Sequence, residues 1–239
     1  MSSNFEQVLE FNLNFGVLQS DKLVPKENIY DEESHTVEHC MKLIREEAKE
    51  TIVAMETSDF IETVDGLIDL LYVNFGAFSR LGINADEVGG FNKQKNFLKL
   101  TPKHDIFKDK DVIKMCMEAI KSGLNQLENA VKIKNFHATI GCLMNQAYAI
   151  YGLLVIFGVN VNETFCVVHE NNMSKLCKTE DEAKRSVQSY LDKKIPEYDT
   201  PAYRLAPDQK HWVVYNQSTK KVLKSIEWKP VDLKPVLGL

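Results

Sequence analysis

The chain has 239 residues, 44% of them hydrophobic and 26% charged, which is an ordinary globular composition with enough length to bury a core. Its net charge of −5 argues against a broad surface for nucleic-acid polymers, while leaving room for local basic pockets. The five cysteines (Cys40, Cys116, Cys142, Cys166, Cys177) are odd in number and lack CxxC spacing, so a zinc ribbon or disulfide framework is not expected, and a reducing, cytoplasmic setting is. The first residues lack the basic and apolar regions of a signal peptide, and no uninterrupted apolar run of about 18 residues is present, so no membrane partner is expected.

The first expected element is an amphipathic helix over residues 4–17, apolar at Phe5, Val8, Leu9, Phe11, Leu13 and Phe15. A polar stretch from Gln19 to Ser34, interrupted by Pro25, leads into a helical run that stacks Glu46, Glu47 and Glu50 over one turn. His35 and His39 lie one turn apart without an HExxH pattern and read as a polar helix face. After a short polar turn, residues 59–76 place Ile61, Val64, Leu67, Ile68, Leu71, Tyr72 and Phe75 at helical spacing, yet Glu62, Asp65 and Asp69 share one side of that helix. One bland role is available: Asp59 as N-cap with Glu62 at the third helical position of a capping box.

If the two runs form an antiparallel hairpin, residues equidistant from the turn face each other, Glu50 with Asp65 and Glu46 with Asp69, across roughly 8–10 Å. Two like charges about 4 Å apart repel by roughly 4 kcal/mol at an effective dielectric near 20, so six acids in register on two apolar helices call for a cation. Ligands that are all oxygen suit a hard ion, Mg²⁺ or Mn²⁺.

The order Glu46-Glu47-x-x-Glu50, Glu62-x-x-Asp65 and then Asp69 before Leu70-Leu71-Tyr72 resembles the all-α nucleoside triphosphate pyrophosphohydrolases, which include MazG, the dimeric dUTPases and phosphoribosyl-ATP pyrophosphohydrolase. That resemblance implies an ExxE on one helix and an ExxD on the next, together holding Mg²⁺. Two registers fit. Glu62 and Asp65 match ExxD directly; alternatively Asp69 is the motif aspartate, and Gly66 stands where a Glu belongs. All six acids are therefore candidate ligands, with Glu47 and Glu50 as the catalytic candidates. The same resemblance implies that Asn12, in the first helix, approaches the nucleobase; packing of that helix through its phenylalanines is the competing reading.

Beyond Gly82, a helix stop, and a linker over residues 101–111, the pattern returns. Shifted by 76 residues without a gap, Cys40 and Met41 fall on Cys116 and Met117, Phe60 on Phe136, Thr63 on Thr139, Leu67 on Leu143 and Gly82 on Gly158. Asn96 and Lys99 fall on Asn172 and Lys175. The six acids fall on Ser122, Gly123, Gln126, Ala138, Gly141 and Asn145, none of them acidic. An internal duplication with one active and one degenerate half accounts for both the matches and the losses. Each hairpin is too small to bury its own face, so the expected fold is all-α: tandem hairpins packed as a pseudo-twofold four-helix unit, a pseudo-dimer within one chain that leaves room for a homodimer.

The segment Val168 to Leu176 resembles the VHxxNMSKL element of one branch of the superfamily, which implies that Asn172 and Lys175 approach the nucleotide. The recurrence of that pair as Asn96 and Lys99 favours the same reading, and an ammonium suits phosphate oxygens. Next come a charged helix from Thr179 to Lys194, capped by Thr179 with Glu182, and a β-hairpin read from residues 212–215 and 221–226 across a polar turn. Lys221 to Leu233 resembles the closing element of the same branch, with Lys220 where Gly is usual; Lys224 is a candidate phosphate contact, and Trp228 either stacks on a base or packs.

The expected organisation is residues 1–100 (first helix and metal-binding repeat), 101–178 (degenerate repeat) and 179–239 (helix and hairpin), together one compact domain. The expected activity is Mg²⁺-dependent hydrolysis of a (d)NTP to (d)NMP and pyrophosphate. Phosphoribosyl-ATP as substrate, or a non-catalytic nucleotide-binding bundle, are the alternatives.

Overall fold

The structure, a computed structural model, describes residues 2–91 and 100–239. It is mostly helical: α1 (Asn4–Asn14), α2 (Ile29–Glu32), α3 (Ser34–Glu56), α4 (Phe60–Arg80), α5 (Ala85–Gly89), α6 (Lys110–Lys132), α7 (Phe136–Ile156), α8 (Val161–Met173) and α9 (Glu180–Lys193). Two strands, β1 (Pro201–Leu205) and β2 (Trp212–Asn216), pair antiparallel. The chain divides into two compact units, one of Met1–Val8, Lys22–Val168 and Asp232–Leu239, the other of Leu9–Asp21 and His169–Val231.

In the first unit, α3 packs on α4, α6 on α7, α4 on α7 and α3 on α6, so the four long helices close a ring around one core. Several helices, α4, α6, α7 and α9 among them, start where a side chain satisfies a free amide of the first turn, whereas α3 has no such cap. Asp59 accepts the Glu62 N–H at 3.1 Å, as expected for the bland capping role, and Asn135 accepts the Ala138 N–H at 2.9 Å. Each bound of α6 and α7 lies 76 residues beyond the matching bound of α3 and α4. The connections agree as well. Gly82 and Gly158 both have φ +74, and a β-carbon on either would collide with a carbonyl, of Val24 or of Thr101. Lys26 and Lys103 each donate their N–H, at 3.0 Å, to the carbonyl just before one of these glycines.

Helix α7 is long and apolar enough to cross a membrane by length and composition, and half of its apolar window is buried. Its packing on α4 and α6 accounts for that apolarity as a core helix. Where α4 and α7 meet, buried Asn74 donates to Gln146 Oε1 at 2.8 Å.

The second unit is built on α9 and the hairpin. Successive strand residues face opposite ways: Val213 joins Phe15, Leu176 and Ala206, and Val214 joins Cys177, Ala183 and Leu223. The hairpin differs from the sequence reading in its partner. Trp212–Asn216 pairs along its length with the preceding segment Pro201–Leu205, whereas the following segment adds a single bridge, Tyr215 to Val222. Pro201 hides β1 from a pattern search, although a proline is tolerated at the first residue of an edge strand.

Candidate metal and phosphate sites

Helix α3 buries Val37, Cys40, Met41, Ile44, Ala48, Thr51, Ala54 and Met55 along one stripe, and α4 turns Val64, Leu67, Ile68 and Leu71 inward. The acids flank these stripes. Glu46, Glu47, Asp65 and Asp69 are half-buried; Glu50 and Glu62 are exposed. Glu46 lies 3.8 Å from Lys42, one turn earlier.

At Gly66, where α4 has no side chain, the two helices pack closely. A β-carbon on Gly66 would lie 2.7 Å from Thr51 Oγ1 and 3.1 Å from Thr51 Cα. Thr51 is itself held, its hydroxyl donating to the Glu47 carbonyl at 2.7 Å. Thr51 and Gly66 directly follow Glu50 and Asp65, so this contact lies beside the acids expected to face each other. Sequence reasoning missed Thr51. Its signal was a β-branched polar residue one turn after Glu47 on the buried stripe.

Among the described residues, no group of three or more His, Cys, Asp or Glu side chains is drawn together tightly enough to hold a metal ion as the side chains stand. The donor chemistry nonetheless fits Mg²⁺: the flexible carboxylates on the two packed helices offer only oxygen. A cavity of about 20 Å³ lined by Cys40, Met41, Ala77, Arg80, Leu127 and Leu143 has room for about one water and is too small for a nucleotide.

The described phosphate-binding candidates, Lys175 and Lys224, fall in the second unit. Lys175 Nζ donates to Asn172 Oδ1 at 2.5 Å and lies 5.9 Å from the centre of the Phe11 ring, itself stacked on Phe15 at 4.1 Å. Asn12, one residue on, is buried, and its carbonyl accepts the N–H groups of Val17 and Leu18. His169 Nε2 lies 3.4 Å from Glu10 Oε2; burial holds its pKa below the ordinary histidine value against the pull of Glu10 and Glu170.

The segment carrying Lys224 is joined to the one carrying Asn172, because Asn171 Nδ2 donates to the Lys229 carbonyl at 2.9 Å. Lys224 Nζ lies 3.7 Å from the centre of the Trp228 ring, so one face of that indole is covered by the ammonium. Lys99 lies outside the described residues.

The sequence matches the phosphoribosyl-ATP pyrophosphohydrolase family over residues 16–90, the span that contains all six acids. It is 32% identical over 246 residues to an uncharacterized protein of Acanthamoeba polyphaga mimivirus, an alignment covering 99% of this chain and 96% of that one. No solved structure matches it.

Proposed function

Because the chain belongs to the all-α nucleoside triphosphate pyrophosphohydrolases, through a phosphoribosyl-ATP pyrophosphohydrolase domain, we propose that it is a Mg²⁺-dependent enzyme that hydrolyses a nucleoside triphosphate to the monophosphate and pyrophosphate. Water adds to the α-phosphorus, and the α–β bridging oxygen leaves with pyrophosphate. The observation that carries this reading is the pair of acid-bearing helices, packed on each other within the matched span.

Glu46, Glu47, Glu50, Glu62, Asp65 and Asp69 supply the oxygens that would hold Mg²⁺. When bound, the ion supplies neutralisation of phosphate charge and a more acidic water. Glu47 and Glu50 are the residues to orient that water and accept its proton. In the second unit, the Lys175 and Lys224 ammonium groups suit phosphate oxygens, and Asn12 and Asn172 can both donate and accept hydrogen bonds toward a nucleotide.

We read α6 and α7 as a degenerate copy of α3 and α4. The coincident helix bounds, the matching N-caps of α4 and α7 and the glycine turns support a duplication, and the neutral residues at the acid positions support one active half per chain. The pseudo-twofold arrangement, the division at residues 100 and 178, and a cytoplasmic, nucleotide-clearing role belong to this same reading.

The test is pyrophosphate release from a panel of NTPs, dNTPs and phosphoribosyl-ATP, with Mg²⁺, with Mn²⁺ and with EDTA. Metal-dependent release from at least one nucleoside triphosphate is expected. Release from phosphoribosyl-ATP alone would assign the chain to that substrate instead, and no release from any would leave a nucleotide-binding bundle.

A further inference from the structure

Residues 193–229 carry eight Lys and Arg against four Asp and Glu, in a chain that is acidic overall. Within this stretch Lys224 is exposed, and among the described residues no carboxylate lies within ion-pairing reach of it. Its ammonium rests instead on the face of Trp228, 3.7 Å from the ring centre. An exposed cation–π contact is weak beside a charge-assisted bond to an oxyanion, so this is a contact an anion can displace.

The backbone carrying the pair is fixed. The Tyr190 hydroxyl accepts the Lys224 N–H and donates to the Lys224 carbonyl, each at 3.1 Å. Ser225 Oγ donates to buried Glu182 at 2.6 Å, and the Ile226 N–H donates to Ser186 Oγ at 2.9 Å. Three side chains of α9 therefore grip three successive residues. The Trp228 backbone N–H in turn donates to the Ser225 carbonyl at 3.1 Å. The backbone beneath Lys224 is thus held, while its ammonium, among the described residues, has no ion-pair partner.

We infer that Lys224 and Trp228 form a displaceable latch for a polyphosphate anion: the anion draws the ammonium off the indole and uncovers the ring face, while Tyr190, Glu182 and Ser186 act as positioning residues for the lysine. The inference rests on the pyrophosphohydrolase reading for its ligand, the phosphate tail of a nucleoside triphosphate. The anion chemistry can be tested without turnover.

The chain has two tryptophans, Trp212 and Trp228, so Trp212→Phe leaves Trp228 as the only indole. In that background, titration with inorganic tripolyphosphate, with a nucleoside triphosphate and with the free nucleoside is followed by indole emission. Both triphosphates are expected to give a saturable change and the nucleoside none. Lys224→Met is expected to abolish the change and weaken tripolyphosphate binding about tenfold. Tyr190→Phe is expected to weaken binding by less and to raise KM without lowering kcat. Should Trp212→Phe not fold, 5-fluorotryptophan NMR of the unmodified chain resolves the two indoles. An unchanged Trp228 signal, or the same response in Lys224→Met, overturns the latch even if pyrophosphate release is observed. A tripolyphosphate response with no hydrolysis of any nucleotide upholds the latch and overturns the enzyme.

Discussion

Gly66 of α4 rests against Thr51 of α3 at a separation that leaves no room for a β-carbon. The obstruction is not a flexible tip. Thr51 is β-branched and its hydroxyl is committed to the Glu47 carbonyl, so its side chain cannot swing away without losing that bond. The backbone of Thr51 stands just behind it. Gly66→Ala would gain about 1 kcal/mol of helix propensity, but it forces the helices apart, and overpacking of this kind costs about 1–3 kcal/mol. The variant is expected to unfold at lower urea concentration than the parent. Thr51→Ala in the same chain should restore part of the loss, because the hydroxyl contact goes and the backbone contact stays. A Gly66→Ala protein as stable as the parent would mean that the helices do not meet here.

The same contact lies beside Glu50 and Asp65, so an ion held by the acid-bearing turns, as proposed above, would link metal to stability. Millimolar Mg²⁺ is expected to raise the melting temperature, since an ion that binds only the folded state stabilises it by mass action. Glu50→Gln and Asp65→Asn are near-isosteric and should keep the circular dichroism spectrum while lowering turnover at least about 100-fold. Both should also blunt the Mg²⁺ effect on melting. Near-normal rates in the two variants would show the site to be misassigned.

The helices that carry these acids were legible from sequence because α3 and α4 have strong periodicity and a clear cap at Asp59. The shift of 76 residues then located α6 and α7 without a separate argument. The Thr51–Gly66 contact was not legible. It depends on how two helices cross, and a mid-helix glycine reads equally well as a weak spot. The strand partner was also misread. Val222 and Leu223 have strand character and do bond to β2, as in Leu223 N–H to the Val214 carbonyl at 2.8 Å. The full ladder, however, goes to Pro201–Leu205, where the proline masks the pattern. The seat of Lys224 joins residues more than 30 positions apart in the chain, which no local pattern reports.

His169 predicts a pH dependence. Burial holds its pKa below the ordinary value near 6.5, so the folded chain favours the neutral ring and the unfolded chain takes up the proton more readily. Its contribution to stability is therefore fully present above about pH 6.5 and declines as pH falls below that, until the folded-state pKa is passed. Glu10, 3.4 Å away, and Glu170 limit the decline by favouring the charged ring. Urea unfolding of the parent and of His169→Asn between pH 5 and 8 should show a steeper loss in the parent. Parallel curves would remove His169 from the account.

The last prediction separates the two hairpins. Gly123 and Gly141 stand 76 residues after Glu47 and Asp65, in the interiors of α6 and α7. A β-carbon on Gly141 would meet nothing within 4 Å, and one on Gly123 would meet only Gln146, at 3.8 Å or more. Neither has the positive φ that would reserve the position for glycine. Gly123→Ala and Gly141→Ala are therefore expected to stabilise the chain by up to about 1 kcal/mol each, the opposite sign to Gly66→Ala. With no carboxylate at either position, or at Ser122, Gln126, Ala138 or Asn145, the second hairpin offers at these sites only neutral oxygens and no charge to neutralise a hard divalent ion. Crystals soaked with Mn²⁺ and a non-hydrolysable triphosphate should show anomalous density between α3 and α4 and none between α6 and α7. Density in the second hairpin would refute the one-active-half reading, and destabilisation by Gly141→Ala would show that its glycine is required for packing.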